Sequence, residues 1–378
     1  MFNKKQIDSN LFEAFSMKVL AALSENAADK NVLVSPARIM SLMALLSSFT
    51  NEQTRTRIAK ILGIAIEDMF HYLKKDQLLP SDNYYSWASS EDCELPTVEN
   101  TSSAWIDSSI ATSPQFDSVL KDWEFEKKVA SLSSEATKLR INDYVKVHTK
   151  GMIQDIDVGV SELAKVVLVD CLYFKGKWSY TFDTSDTEPD VFHSAYSDNN
   201  VPFMKNKLMF GNYYFCRTFQ AIDLEYRCHC EDRSYSMRIY LPHEGKSCND
   251  VLRVMHNHKN GIEFKNVPVL LKMPKFVIKE KENISLVLNR LGLDMARMHL
   301  FIFPDKNESL LLDDVIQKGA VKVTEKGTEA GMSTYTSMKL GRPRKIIYIE
   351  MNVNRPFIFE IIEKHSGLRL FAGIVNKV

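Results

Sequence analysis

A chain of 378 residues, 45% hydrophobic and 25% charged, has material for one large core or two ordinary ones. Forty-eight basic side chains balance 48 acidic ones, which excludes nucleic-acid or anionic-membrane binding through bulk charge and leaves only a local patch open. No run of 18 apolar residues is present, so no membrane-crossing helix is expected, and residues 1–8 lack the apolar core and cleavage site of a signal peptide. The expected compartment is the cytoplasm, or release without a leader, or the extracellular space if a leader has been removed.

Residues 9–25 read as an amphipathic helix, with Ser9 placed to cap it and Leu11, Phe12, Phe15, Val19, Leu20 and Leu23 on one face. Residues 31–36 form a short strand stopped by Pro36, which opens a second helix that is apolar nearly all round and so expected to be central. A third helix spans 51–62 and ends at Gly63, a C-cap. Between about 76 and 97 the composition turns to Ser, Asp, Asn and Tyr, which predicts a flexible surface insertion. A strand at 98–106, a short helix at 114–123 and a longer helix at 134–152 follow. The nearly unbroken apolar run 164–174 carries one acid, Asp170, and predicts a central strand buried on both faces. Beyond residue 200 the chain turns to strands, at 207–215, 219–227, 235–241, 267–273, 276–279, 346–351, 357–363 and 368–375, with one helix at 284–293. Helices first and strands after describe a single α+β domain over 1–378.

The six cysteines, Cys93, Cys171, Cys216, Cys228, Cys230 and Cys248, are irregularly spaced and read as free thiols. Cys228-His229-Cys230, joined by Cys216 or His243, invites a metal, but the spacing is wrong for a zinc knuckle, so neither metal nor cofactor is expected. The glycosylation patterns at Asn100, Asn283 and Asn307 matter only in a secreted chain.

The most informative stretch is 321–345. It begins as an alternating strand, breaks at Glu325-Lys326-Gly327, and then alternates again. Thr328, Ala330, Met332, Thr334, Thr336, Met338 and Leu340 form one row without charge or proline, fit to face a core in a strand. The small, polar start suits an exposed loop equally well. A segment that reads both ways is a candidate switch.

At this point the sequence resembles the serpin family of protease inhibitors, over essentially the whole chain. Residues 31–36 (NVLVSP) resemble that family's first strand and its step into a helix. Residues 167–178 (VLVDCLYFKGKW) are similar to its central-strand signature, residues 323–330 (VTEKGTEA) to its hinge, and Asn354-Arg355-Pro356-Phe357 and Leu370-Phe371-Ala372-Gly373 to its closing strands. The resemblance implies a large, mostly antiparallel central sheet with further sheets, about eight or nine helices and an exposed reactive-centre loop over about 325–348. It also implies a monomeric inhibitor rather than an enzyme. A target serine protease attacks the loop, forms an acyl-enzyme, and is trapped when the loop inserts as an extra strand. Such insertion is itself the standard instance of strand addition and of stored-strain release. Glu325, Gly327, Thr328, Glu329 and Ala330 take the hinge positions, and Trp178 the breach position at the top of the sheet.

The loop keeps the uncharged, proline-free row that insertion needs, with Gly331 and Met332 departing from the family's preference for alanine. Family loop length puts the scissile bond near Gly341-Arg342. Cleavage after Leu340 suits a chymotrypsin-like or cathepsin-like pocket, Arg342 is followed by Pro343, and Arg344-Lys345 is chemically the best trypsin-like bond. Leu340, Gly341, Arg342 and Arg344 therefore all stand as reactive-bond candidates. Inhibition of papain-like cysteine proteases and a non-inhibitory binding or chaperone role are the alternatives. Residues 66–75 offer only Lys74 and Lys75, too few for a heparin-like site.

Three further departures fall where the family has its shutter, beneath the opening in the large sheet. Ser35-Pro36-Ala37-Arg38, Asp170 and Gln317 stand where the family has serine, asparagine and histidine. Losing those three separately would leave buried polar groups unpaired at about 1–3 kcal/mol each. The expectation is an Arg38–Asp170 ion pair with Gln317 bonded to one partner. The alternative has Arg38 reaching solvent and Asp170 bonding backbone.

Overall fold

The computed structural model describes residues 9–25, 30–65, 96–153, 164–227, 234–257, 262–304, 309–311, 315–328 and 346–378. Three helices open the chain: α1 (Ser9–Ser24), α2 (Pro36–Ser47) and α3 (Glu52–Leu62), with β1 (Val32–Val34) between the first two. α2 starts where Pro36 supplies a pre-set φ and Ser35 Oγ accepts the Arg38 N–H at 3.4 Å. α3 ends at Gly63, whose φ of 73° is the left-handed cap anticipated there.

The middle of the chain supplies β2 (Thr97–Asp107), α4 (Pro114–Asp122), β3 (Phe125–Ala130), α5 (Glu135–His148) and β4 (Val166–Lys177). Strands β5 (Glu188–His193), β6 (Asp198–Phe215), β7 (Phe219–Glu225) and β8 (Tyr235–Pro242) lead to α6 (Cys248–Asn257). Then come β9 (Lys265–Pro274), β10 (Phe276–Asn283), α7 (Ile284–Arg290), β11 (His299–Leu300), β12 (Leu310–Leu311), β13 (Ile316–Thr324) and β14 (Gly327–Thr328). β15 (Ile349–Asn352), β16 (Phe357–Glu363) and β17 (Leu368–Val375) close the chain.

The α+β expectation holds. One sheet runs β1-β17-β16-β8-β7-β6-β9-β15, with β5 paired to β6; a second runs β10-β13-β14-β4-β2-β3, and β11 pairs with β12. In the second sheet every ladder is antiparallel except β2–β3. Strand β4 has both faces covered, as its apolar run predicts. Val166, Leu168 and Phe174 belong to the main core, whereas Val167, Val169 and Cys171 meet Trp105, Ile141 and Tyr144 of a smaller cluster under α5. Alternate residues thus face two different cores.

Some boundaries differ from the sequence reading. The helix expected over 134–152 ends at His148, because Lys150 and Gly151 turn to φ 50° and 75° and the Gly151 N–H closes onto Lys146 O at 2.8 Å. The runs at 207–215 and 276–279 are parts of the longer β6 and β10. β3 (FEKKVA) is an edge strand rich in charge, and its exposed Lys and Glu hid it from a hydrophobic reading. Residues 76–95 of the expected insertion, the glycosylation pattern at Asn307, Cys228 and Cys230 lie outside the described residues.

Candidate functional site

Two clusters hold the predicted site residues, both on the six-stranded sheet. The upper one surrounds the hinge. β13 ends at Thr324, Glu325 and Lys326 make a turn, and Gly327 and Thr328 come back as β14, already seated between β13 and β4. Thr328 pairs with Val323 on one side and Gly176 on the other, and Gly327 pairs with Thr324 and Lys177. Only glycine fits at 327: its φ is 143°, and a Cβ there would stand 2.1 Å from Gly176 O.

Trp178 holds this turn from above. Its indole N–H donates to Thr324 O at 2.9 Å, its backbone N–H donates to Lys326 O at 3.1 Å, and the Phe182 N–H donates to Glu325 O at 2.9 Å. Glu325 Oε1 accepts from Thr187 Oγ1 at 3.0 Å and pairs with Lys275 Nζ at 3.0 Å. Burial would raise the Glu325 carboxyl, but its backbone hydrogen bond, Lys275 and Thr187 outweigh burial and hold it below the ordinary carboxylate range.

Tyr226 completes the bracket. Its ring stacks on Trp178 at 4.6 Å and 14° and meets Phe174 edge-on at 4.8 Å. Its hydroxyl lies 2.7 Å from Thr328 Oγ1, in a place where Thr328 is 1% exposed. Burial pushes the phenol up, so it stays a hydroxyl at any physiological pH. Gly176 makes room for this ring, since a Cβ there would come within 2.7 Å of Tyr226 Cδ1.

The lower cluster joins α2, β2, β4 and β13. Arg38 Nε donates to both carboxylate oxygens of Asp170 at 2.8 Å, and its terminal nitrogen bonds Asp170 and the Ser102 hydroxyl. Ser102 Oγ donates in turn to Asp170 Oδ1 at 2.8 Å. Arg38 is 5% exposed, so it does not reach solvent. Gln317 departs from the expectation. Its Oε1 accepts the Ser35 backbone N–H at 2.6 Å, a donor just ahead of the first turn of α2, and Ser102 takes the place beside the ion pair. A void of about 20 Å³ remains between Leu168 and Asp170 of β4 and Gln317 of β13.

The structure thus gathers Ser35, Arg38, Asp170 and Gln317 below, and Trp178, Glu325, Gly327 and Thr328 above. Glu329, Ala330, Leu340, Gly341, Arg342 and Arg344 lie outside the described residues, as do Lys74 and Lys75. Tyr226, Ser102, Thr187 and Lys275 were missed. None sits in a motif, and their roles come from strands that are distant in sequence.

The family model described as Serpin (serine protease inhibitor) matches residues 10–378. Plasminogen activator inhibitor 1 of Bos taurus is 28% identical over 97% of this chain and 92% of its own length. Serpin-Z1C of Triticum aestivum is 26% identical over 96% and 94%. Among solved structures, Arabidopsis AtSerpin1 in its native stressed conformation superposes with a TM-score of 0.81 at 22% identity, covering 98% of this chain and 99% of that one. Native Tengpin, a thermophilic serpin, gives 0.81 at 23% identity over 100% and 96%. Motif, fold and relatives agree: this chain belongs to the serpin family.

Proposed function

We propose that the chain inhibits serine-type endopeptidases as a suicide substrate, by cleavage of its loop, trapping of the acyl-enzyme and insertion of residues 328–340 as a strand. The observation that carries this reading is β14, two residues long and antiparallel to both β13 and β4. A strand continuing in that register puts Ala330 opposite Phe174, Met332 opposite Leu172 and Thr334 between Asp170 on β4 and Gln317 on β13. The uncharged row then shares the face of Thr328, toward α2, and no charge enters that core. A threonine hydroxyl, rather than an aliphatic side chain, then arrives beside the Arg38–Asp170 pair and Gln317. β4 is long enough to pair the row as far as Met338.

The test is incubation with chymotrypsin-like, trypsin-like and papain-like proteases, read on a denaturing gel, with mass spectrometry of the released C-terminal peptide. A covalent adduct is expected, and the peptide mass assigns the bond among Leu340, Gly341, Arg342 and Arg344. Loop cleavage is also expected to raise the melting temperature sharply. Cleavage without adduct and with an unchanged melting temperature would overturn the reading in favour of a binding or chaperone role.

A further inference from the structure

We propose that the outward face of strands β6, β9 and β15 is a second docking surface for the target protease, and that this protease is trypsin-like and cleaves after Arg344. The surface serves the attack on the loop proposed above and depends on it. Register builds it. Leu208, Val269 and Ile349 stand side by side across the three strands, and Leu208 and Val269 are buried on the core side. Their chain neighbours therefore point the other way. Lys207, Leu270 and Glu350 form one outward row, and Met209, Pro268 and Tyr348 the next. The Tyr348 hydroxyl donates to Met209 Sδ at 3.1 Å, which puts both side chains on this face.

The second row differs from the rest of its face. β6 shifts register between Leu208 and Gly211, so Met209 lies in a bulge opposite Pro268. Proline has no N–H to give the ladder, and a bulge is where a sheet tolerates that loss and re-aims a side chain. Met209 is 43% exposed, and Ile347, next to Tyr348, is 83% exposed. Further down the same face the charges are paired within the chain, Lys205 with Glu188 and Lys272 with Asp190. The apolar end is the one that adjoins the loop. Large apolar groups left in water together, at one end of a face that is otherwise charged and paired, mark a contact surface.

Chain length says what covers it. Tyr348 follows Arg344 by four residues and Leu340 by eight. A chain spans at most about 3.6 Å per residue, so Arg344 lies within about 14 Å of Tyr348, whereas Leu340 is held only within about 29 Å. A protease–inhibitor contact takes about 800 Å² of each partner, a disc of about 16 Å radius. A protease centred on the Arg344–Lys345 bond therefore reaches the apolar row whatever path the loop takes. One centred on Leu340 is under no such constraint. The guanidinium of Arg344 calls for a carboxylate in the protease pocket, which is the trypsin-like arrangement.

Trypsin is mixed with the full chain and with the variants Met209→Ser, Ile347→Ser and Met209→Leu, and intact chain, adduct and cleaved chain are followed together. Trypsin is expected to cut first after Arg344, as read by mass spectrometry of the released peptide. Met209→Ser and Ile347→Ser should each slow the loss of intact chain at least roughly tenfold, and Met209→Leu should restore the parent rate. The ratio of adduct to cleaved chain is set after docking and should stay that of the parent. Both altered side chains are exposed, and a thermal melt checks that the variants fold. Loss of intact chain reports docking even where trapping fails, so cleavage without adduct, still slowed in the variants, would overturn the inhibitory reading alone. Parent rates in both serine variants, a first cut at any other bond, or no loss to trypsin would overturn the docking surface.

Discussion

The Arg38 guanidinium faces Asp170 side-on, with Nε 2.8 Å from each carboxylate oxygen and Arg38 almost wholly buried. A pair so placed is weak evidence for stability as a whole, yet each member depends on the other, because removing one leaves an uncompensated charge out of water. Asp170→Asn and Arg38→Ser are each expected to destabilise by about 3–5 kcal/mol. The double variant, which restores the family's neutral pattern, should lose less than the sum of the two. Urea denaturation of the three variants measures this, and strict additivity would sink the pairing argument.

Beyond its two ladder partners, Thr328 meets the Tyr226 hydroxyl through its side chain. Tyr226→Phe removes the partner of a buried Thr328 Oγ1 and should cost about 1–3 kcal/mol in chemical denaturation, with the aromatic stack intact. Thr328→Arg asks more of the site, since a guanidinium cannot occupy a 1% exposed position beside Tyr226. Its β14 pairing should fail, and protease incubation should yield cleaved chain in place of adduct. Undiminished adduct from Thr328→Arg would mean that the hinge does not insert along this face.

How much of this is legible in the sequence depends on which forces act locally. Strand β4 and helix α2 announce themselves because burial on all sides leaves continuous apolar runs. The juxtaposition of Arg38 with Asp170 was legible because two compensating departures from a family pattern require each other. Gln317 was misassigned: sequence showed a polar residue in the right neighbourhood but not that the Ser35 N–H would claim it. Tyr226 could not have been found at all, since its role arises where the end of β7 passes over Gly176 and Trp178. Strand β5 (EPDVFH) was invisible because its charges are satisfied across the sheet, as in the Lys272–Asp190 pair.

Glu282 makes stability depend on pH. Burial, and after it the charge of Glu280, raise its carboxyl to about 7 despite a backbone hydrogen bond to Leu33. A carboxyl raised on folding binds more protons folded than unfolded. Its contribution is therefore fully present below about pH 4.5 and is lost as pH rises through 7. Glu282 pairs across the sheet with Gln317, so the strain falls beside the lower cluster. Between pH 5 and 8 the Glu282→Gln variant should lose about 1–2 kcal/mol less stability than the parent, after solvent screening is allowed for. Equal pH slopes for the two proteins would show that Glu282 titrates as it does unfolded.

The least expected feature lies under α1. Glu360, 0% exposed on β16, accepts from Ser16 Oγ at 2.6 Å and Tyr240 OH at 2.8 Å, with Arg369 Nε 3.6 Å away. Arg369, 3% exposed, donates to Glu13 Oε2 at 2.6 Å, and Arg238 lies 3.8 Å from that same oxygen while binding Asp223. Burial, and after it the Glu360 charge, push the Tyr240 phenol up, so it serves as a donor to the carboxylate. Four buried charges and the partly buried Arg238, joined through two arginines, stand or fall together. Arg369→Leu should cost about 3–5 kcal/mol, because it leaves Glu360 without a cation and Glu13 facing only Arg238 at 3.8 Å. Glu360→Leu alone should cost a similar amount by leaving the Ser16 and Tyr240 hydroxyls unpaired and Arg369 in excess. Glu360→Leu with Arg369→Leu removes one charge of each sign, and Arg238 remains to face Glu13. The double variant should therefore be at least 1 kcal/mol more stable than the two single losses predict, a coupling within the ordinary range of about 0.5–3 kcal/mol for groups in contact. Thermal and urea denaturation of the three proteins decide it, and simple addition of the single losses would show that the network is a set of independent contacts.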